Sequence, residues 1–249
     1  MSAATAASGV IAAAGGGWTP AFPGSLRAWY RYGVGLLNGS SAAASSGEDV
    51  MTWQDQSGNG HHVTQATSGK RPLWTQGTGV IFSAANQDYL HSGDSGGLSG
   101  NFNHSVFALL NTGTIPTSFS SMVSYGRSDS GLNNSVIGTN GVAGSNYWFG
   151  GGAGVAPQEN SVSADNTTIR LGKVHSGTTT QGYRNGATAG SSASVTYTII
   201  PRGVLLNSRD SVLGFSNVTL IEVVVYDKAL SAPEIASLDA YFVARAAAL

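Results

Sequence analysis

The C-terminal stretch constrains the fold most. Residues 219–226, Thr-Leu-Ile-Glu-Val-Val-Val-Tyr, form a β-branched and aliphatic run. Such a run reads as a buried strand. It stops at Asp227-Lys228-Ala229-Leu230 and passes straight into Ser231-Ala232-Pro233-Glu234-Ile235. Ser231 stands at an N-cap position, and Glu234 three residues on completes a capping box. Leu230 and Ile235 flank the cap as a hydrophobic staple. Ile235, Leu238, Tyr241 and Phe242 then recur at helical spacing. The chain therefore ends in a strand, a tight turn and one amphipathic helix.

Upstream the pattern is almost wholly β. Strands are predicted over 26–31, 50–54, 61–65, 78–83, 89–91, 105–111, 120–125, 135–138, 146–149, 167–175, 179–184, 194–199, 211–215 and 218–226. Asn185-Gly186 is a two-residue hairpin turn by composition. The 249 residues include 35 glycines, and only 10% are charged, against a usual ~25%. Short strands joined by tight, weakly charged turns account for both figures. Residues 1–17 are Ala, Gly, Ser and Thr with little else, and are read as an extended N-terminal arm. Residues 18–249 are read as one domain. The expected architecture is an all-β, two-sheet antiparallel sandwich with one C-terminal helix.

Four blocks occur in a recognisable order. Trp53-Gln54-Asp55-Gln56-Ser57-Gly58-Asn59-Gly60 comes first. Val80-Ile81-Phe82 with Asp88-Tyr89-Leu90 follows, then Tyr183-Arg184-Asn185-Gly186, then the closing strand, turn and helix. Together they resemble the laminin-G-like modules of the concanavalin A-like lectin/glucanase superfamily. The resemblance implies a concanavalin-like jelly roll. It leaves function open, because that fold hosts lectins, glycosidases, adhesion modules and viral coat proteins.

Composition removes several function classes. The net charge is −1 and no basic run occurs, so nucleic acid is not an expected partner. No apolar run is long enough for a membrane span. There are no cysteines, so disulfides play no part. Residues 1–17 lack the positive start of a standard signal peptide.

The chemical motifs do not assemble into a catalytic site. Gly93-Asp94-Ser95-Gly96-Gly97 mimics a protease nucleophile loop, but its upstream histidines are His91, His62 and His61, too near in sequence, and no strand-to-helix elbow follows. His61 and His62 are adjacent, so a strand would point them to opposite faces. Asp55 and Asn59 offer oxygens of the kind calcium takes, but too few, and an Asp in such a turn tends to bond its own backbone. Gly150-Gly151-Gly152-Ala153-Gly154 lacks the Lys-Ser/Thr of a phosphate loop. Glu48, Glu159, Glu222 and Glu234 do not form the carboxylate triplet of the glucanase branch. No catalytic residue, metal or cofactor is expected, and the chain is read as a non-enzyme.

Two sets of residues remain as candidate contacts. Tyr147 and Trp148, beside Phe149 and with Tyr125, could stack a sugar ring. Val10, Ile11, Trp18 and Phe22 could anchor the arm on a neighbouring subunit. Trp18-Thr19-Pro20 before the first strand is similar to a form found in phage-encoded laminin-G-like proteins. The expected function is accordingly a structural protein of a phage-like virion, as a head decoration or tail-associated protein assembled in a host cytoplasm. Its partners would be other virion proteins, including the major capsid protein, and further copies of itself. The alternative is a carbohydrate-binding lectin or adhesion module facing a cell-surface glycan.

Overall fold

The computed structural model of the protein describes residues 18–93, 100–113, 119–127, 134–140, 147–150, 158–159, 167–208 and 214–249. The expected arm, with Val10 and Ile11, lies outside the described residues. In chain order the strands are β1 (Leu26–Tyr30), β2 (Leu36–Leu37), β3 (Thr52–Trp53), β4 (Val63–Thr64), β5 (Leu73–Thr75), β6 (Gly79–Phe82), β7 (Leu90–His91), β8 (His104–Asn111) and β9 (Phe119–Arg127). They continue with β10 (Asn134–Asn140), β11 (Tyr147–Trp148), β12 (Gln158–Glu159), β13 (Thr168–Ser176), β14 (Thr179–Arg184), β15 (Ala187–Ser194), β16 (Ile200–Leu206) and β17 (Val218–Tyr226), before the helix α1 (Ala232–Ala246).

Among the described residues these strands make two antiparallel sheets. The first runs β15-β14-β13-β8-β17-β6-β5, with β1 also paired to β17. The second runs β12-β11-β10-β9-β16-β7-β4-β3-β2. Both sheets contribute to one buried cluster: Val106, Ala108, Leu110, Ile169 and Leu171 from the first meet Val123, Tyr125, Ile137, Val204 and Leu206 from the second. The expected two-sheet sandwich with a C-terminal helix is therefore present.

β17 explains why its sequence is apolar throughout. One edge pairs with β8; the other pairs with β6 at Val218–Leu220 and with β1 at Val223–Tyr226. Its register against β8 shifts between Leu220 and Glu222. Such a bulge flips the parity of the strand. Leu220, Val223 and Val225 consequently share the inner face, while Ile221, Val224 and Tyr226 lie under the helix. Ile235, Leu238 and Phe242 of α1 cover that outer face and its neighbours Trp29, Phe107 and Leu109 on β1 and β8. Burial on both faces removes the polar alternation a half-exposed strand would show. The predicted staple is in place, with Leu230 and Ile235 both buried in this layer.

Asn185 and Gly186 have φ of 51° and 81°, the left-handed pair of a type I′ turn, and join β14 to β15. The strand predicted at 194–199 is displaced to β15, whose Ala, Gly, Ser and Thr content carries little propensity. β16 was not expected, because Pro201 and Gly203 interrupt its pattern. A register shift between Ile200 and Val204 absorbs them. Of the predicted strand at 211–215, residues 211–213 lie outside the described residues, and 214–215 are not in a strand.

Candidate functional site

Three polar constructions stand out, and each is set by a local feature of the sequence. The first is the turn after β3. Asp55 is buried, and its Oδ1 accepts from the backbone N–H groups of Trp29 and Ser57, both at 2.8 Å. Its Oδ2 accepts from Ser57 Oγ at 2.7 Å and His61 N–H at 3.1 Å. Asn59 Nδ2 donates to the carbonyls of Leu26 and Arg27. The Trp-x-Asp-x-Ser-Gly-Asn-Gly block thus staples its turn to β1. Both Asp55 oxygens are engaged by protein donors, and His62 Nδ1 accepts from Asp55 N–H at 3.0 Å. Among the described residues no group of three or more His, Asp or Glu side chains could hold a metal ion.

The second construction is inside the sandwich. β13 presents Ile169, Leu171, Lys173 and His175 to one face by strict alternation. Lys173 and His175 are fully buried, as is His104, which sits opposite His175 across the β8–β13 ladder. The two imidazole rings are 5.2 Å apart, and the ring of Tyr197 stands edge-on to His175 at 4.7 Å. Lys173 Nζ donates to Tyr197 Oη at 2.8 Å and to the Gly150 carbonyl at 3.2 Å. Burial holds the Lys173 amine and the His104 ring well below their ordinary titration ranges. Burial, with Lys173 nearby, brings His175 down to about 4. This cluster escaped sequence reasoning. Its trace was two basic residues at the inward positions of an otherwise apolar strand.

The third construction is on the surface. Residues 19–24 form a tight turn, with Phe22 N–H donating to Thr19 O and Gly24 N–H to Ala21 O. The turn is pinned from below: Tyr226 Oη donates to the Pro20 carbonyl at 2.8 Å, and Lys228 Nζ to the Pro23 carbonyl at 3.0 Å. Phe22 projects from it and is 72% exposed, the most exposed large apolar side chain among the described residues. Opposite lies the first turn of α1. There Glu234 accepts from Ser231 N–H at 2.8 Å and from Lys228 Nζ at 2.6 Å. These hydrogen bonds hold its carboxyl below the usual range, against the opposing effect of burial. Trp18 stacks at a tilt on Tyr241, ring centres 5.9 Å apart. Trp18, Phe22, Pro23, Pro233, Glu234 and Ser237 line an open groove of about 200 Å³.

The aromatic pair proposed for sugar contact fares differently. Tyr147 is fully buried, with the Arg184 guanidinium 5.8 Å over its ring, so it is corrected from a surface contact to a core residue. Tyr125 and Phe149 are buried beside it in the same core. Trp148 has its backbone in β11, and its side chain lies outside the described residues. Residues 94–99 and 151–157, with the Ser95 loop and most of the glycine run, also lie outside them. Of the four glutamates, Glu48 accepts from Ser45 N–H and Asn38 Nδ2, Glu222 binds the helix to the sheet, and Glu234 caps that helix. Glu159 is in β12, its side chain outside the described residues.

No protein-family model matches the chain, and no curated protein sequence matches it. Solved structures do. A mutant of Trypanosoma rangeli sialidase displaying trans-sialidase activity aligns over 86% of this chain and 32% of its own, with a TM-score of 0.60 and 13% identity. Domain 4 of AbnA, a GH43 extracellular arabinanase from Geobacillus stearothermophilus solved in complex with arabinotriose, aligns over 86% of this chain and 98% of its own, at 0.53 and 13%. An arabinofuranosidase complexed with arabinofuranosyl-alpha-1,2-xylobiose aligns over 79% and 51%, at 0.57 and 13%. The chain thus spans about a third of the sialidase and nearly all of the arabinanase domain. At this identity the likeness shows a shared β fold. The likenesses lie with carbohydrate-active proteins and lend no support to a virion role. The expectation of a non-enzyme is also corrected, because these neighbours are glycosidases or parts of them.

Proposed function

We propose that the protein is a carbohydrate-binding β-sandwich, concanavalin-like in architecture, that serves glycosidase chemistry. The observation that carries this reading is the Phe22 groove. An aromatic ring held in water by a hydrogen-bonded turn costs apolar hydration that a ligand relieves. Sugar rings suit it, because their C–H faces stack on aromatic rings while their hydroxyls bond polar groups at the rim. Phe22, Trp18 and the two prolines supply the apolar walls, and Glu234, Ser237 and the turn carbonyls supply the rim. The turn is already fixed by Tyr226 and Lys228, so little order has to be imposed on binding.

The likeness to an arabinanase domain solved with arabinotriose supports the ligand class, and that domain matches nearly end to end. Arabino-oligosaccharides are therefore the first ligands to try. A glycan array probed with the purified protein tests the reading. Binding to one or a few related oligosaccharides is expected, and a blank array would overturn it.

A further inference from the structure

The interior cluster links the two sheets by hydrogen bonds between His104 and Ser135 and between Lys173 and the Gly150 carbonyl. His104 Nδ1 faces the Phe102 carbonyl at 2.9 Å, so that nitrogen carries the proton, and Nε2 accepts from Ser135 Oγ at 2.8 Å. Asn101 Nδ2 donates to the Gly177 carbonyl, and its Oδ1 accepts from Tyr197 N–H, which fixes the amide. His175 Nε2 therefore donates to Asn101 Oδ1, and Nδ1 accepts from Thr180 Oγ1, both at 2.9 Å. Each ring is satisfied as a neutral imidazole. Lys173 has two acceptors, Tyr197 Oη and Gly150 O, which matches the two N–H bonds of a neutral amine.

The bonds cross between the sheets. His104 and Lys173 belong to β8 and β13, while Ser135 belongs to β10 and Gly150 follows β11. The titratable groups facing one another here are His104 from β8, Lys173 and His175 from β13, and Tyr197 from the segment before β16. Among the described residues no Asp or Glu forms a hydrogen bond or ion pair with any of them. A proton added anywhere in the cluster creates a buried charge with no acidic partner among the described residues, which is strongly unfavourable.

We propose that this cluster is an acid-sensitive latch: it holds the two sheets together while Lys173, His104 and His175 are neutral, and releases that end of the sandwich when they take up protons. The sign follows from linkage. The unfolded chain binds protons at ordinary histidine and lysine values, and the folded chain resists them. Stability therefore falls as pH falls from about 6.5 to about 4 through His175, and His104 acts in the same direction below the ordinary histidine value. It also rises with pH toward the ordinary lysine value, through Lys173. Each group contributes up to tenfold in the unfolding equilibrium per pH unit within its window.

The test is unfolding of the full chain across pH 4 to 9.5, with hydrogen exchange read along β10 and β13. The expected result is an unfolding midpoint that climbs from acid to alkaline pH, with acid exchange appearing first at the His104–His175 end. Lys173→Met should flatten the alkaline half and raise the midpoint at pH 7. Should that variant not fold, side-chain NMR of the wild type decides. Neutral rings at pH 6, protonated on Nδ1 in His104 and on Nε2 in His175, support the latch. Histidines titrating near 6.5 in the folded protein, or a Lys173→Met variant with an unchanged pH slope, would overturn it.

Discussion

The indole Nε1 of Trp29 donates to Glu222 Oε1 at 2.6 Å, joining β1 to the bulge of β17 beneath the helix. The same carboxylate accepts from Tyr241 Oη at 2.6 Å and from Arg245 Nε at 3.0 Å, both on α1. Glu222 is fully buried, yet each of its oxygens has a donor. One carboxylate thus fixes the helix to the sheet by bonds that apolar packing could not orient. Desolvation beside Glu222 pushes the Tyr241 hydroxyl up, out of any physiological titration.

Removing Glu222 should therefore be costly. Glu222→Ala leaves three buried or half-buried donors unpaired and is expected to lose about 3 kcal/mol, against about 1 kcal/mol for Tyr241→Phe, which removes one neutral donor and leaves the Arg245 ion pair in place. Urea unfolding of both variants checks the ordering, and equal losses would show that the network does not centre on Glu222.

The Asp55 turn gives a second prediction. Asp55→Ala removes the acceptor of four donor groups and should destabilise by about 2–3 kcal/mol. Its oxygens are already occupied, so millimolar calcium or a chelator should leave the melting temperature of the wild type unchanged. A calcium-dependent rise abolished in Asp55→Ala would contradict this.

Asp88 predicts a pH effect opposite to that of the histidines. It is 3% exposed, its Oδ2 accepts from Ser83 N–H at 2.9 Å, and its Oδ1 has no hydrogen-bond partner among the described residues. Burial raises its carboxyl to about 6. Its folded value lies above the unfolded one, so the folded state binds the extra proton between about pH 4 and 6. Stability from this group falls as pH rises through that window. Asp88→Asn should remove the dependence and stabilise the protein at pH 7, by about 3 kcal/mol at most. Unfolding curves at pH 4.5 and 7 decide it. A variant less stable than wild type at pH 7 would show that Asp88 is not held in a proton-retaining site.

Much of the fold was legible because local and global preferences agree in particular places. The Ser231–Glu234 box, the Leu230–Ile235 staple and the Asn185-Gly186 turn are short-range devices, and each forms as read. β15 and β16 were not legible, since one lacks apolar side chains and the other contains Pro201 and Gly203; pairing with neighbours makes them strands. The site was harder. Tyr147 looked like a surface aromatic because three rings stand in a row, yet the core takes it in. Phe22 was noticed only as an anchor for the arm, and its exposure follows from Tyr226 and Lys228, more than two hundred residues away in the chain. Contacts at that separation leave no local pattern.

Sugar binding in the Phe22 groove depends on one exposed ring. Isothermal titration of arabinotriose into the wild type and into Phe22→Ala tests it most directly. Phe22 is exposed, so its removal should change stability by less than about 0.5 kcal/mol. Saturable binding to the wild type is expected, weakened at least about tenfold in Phe22→Ala with the melting temperature unchanged. Equal affinity in the two proteins would contradict it and place the sugar elsewhere.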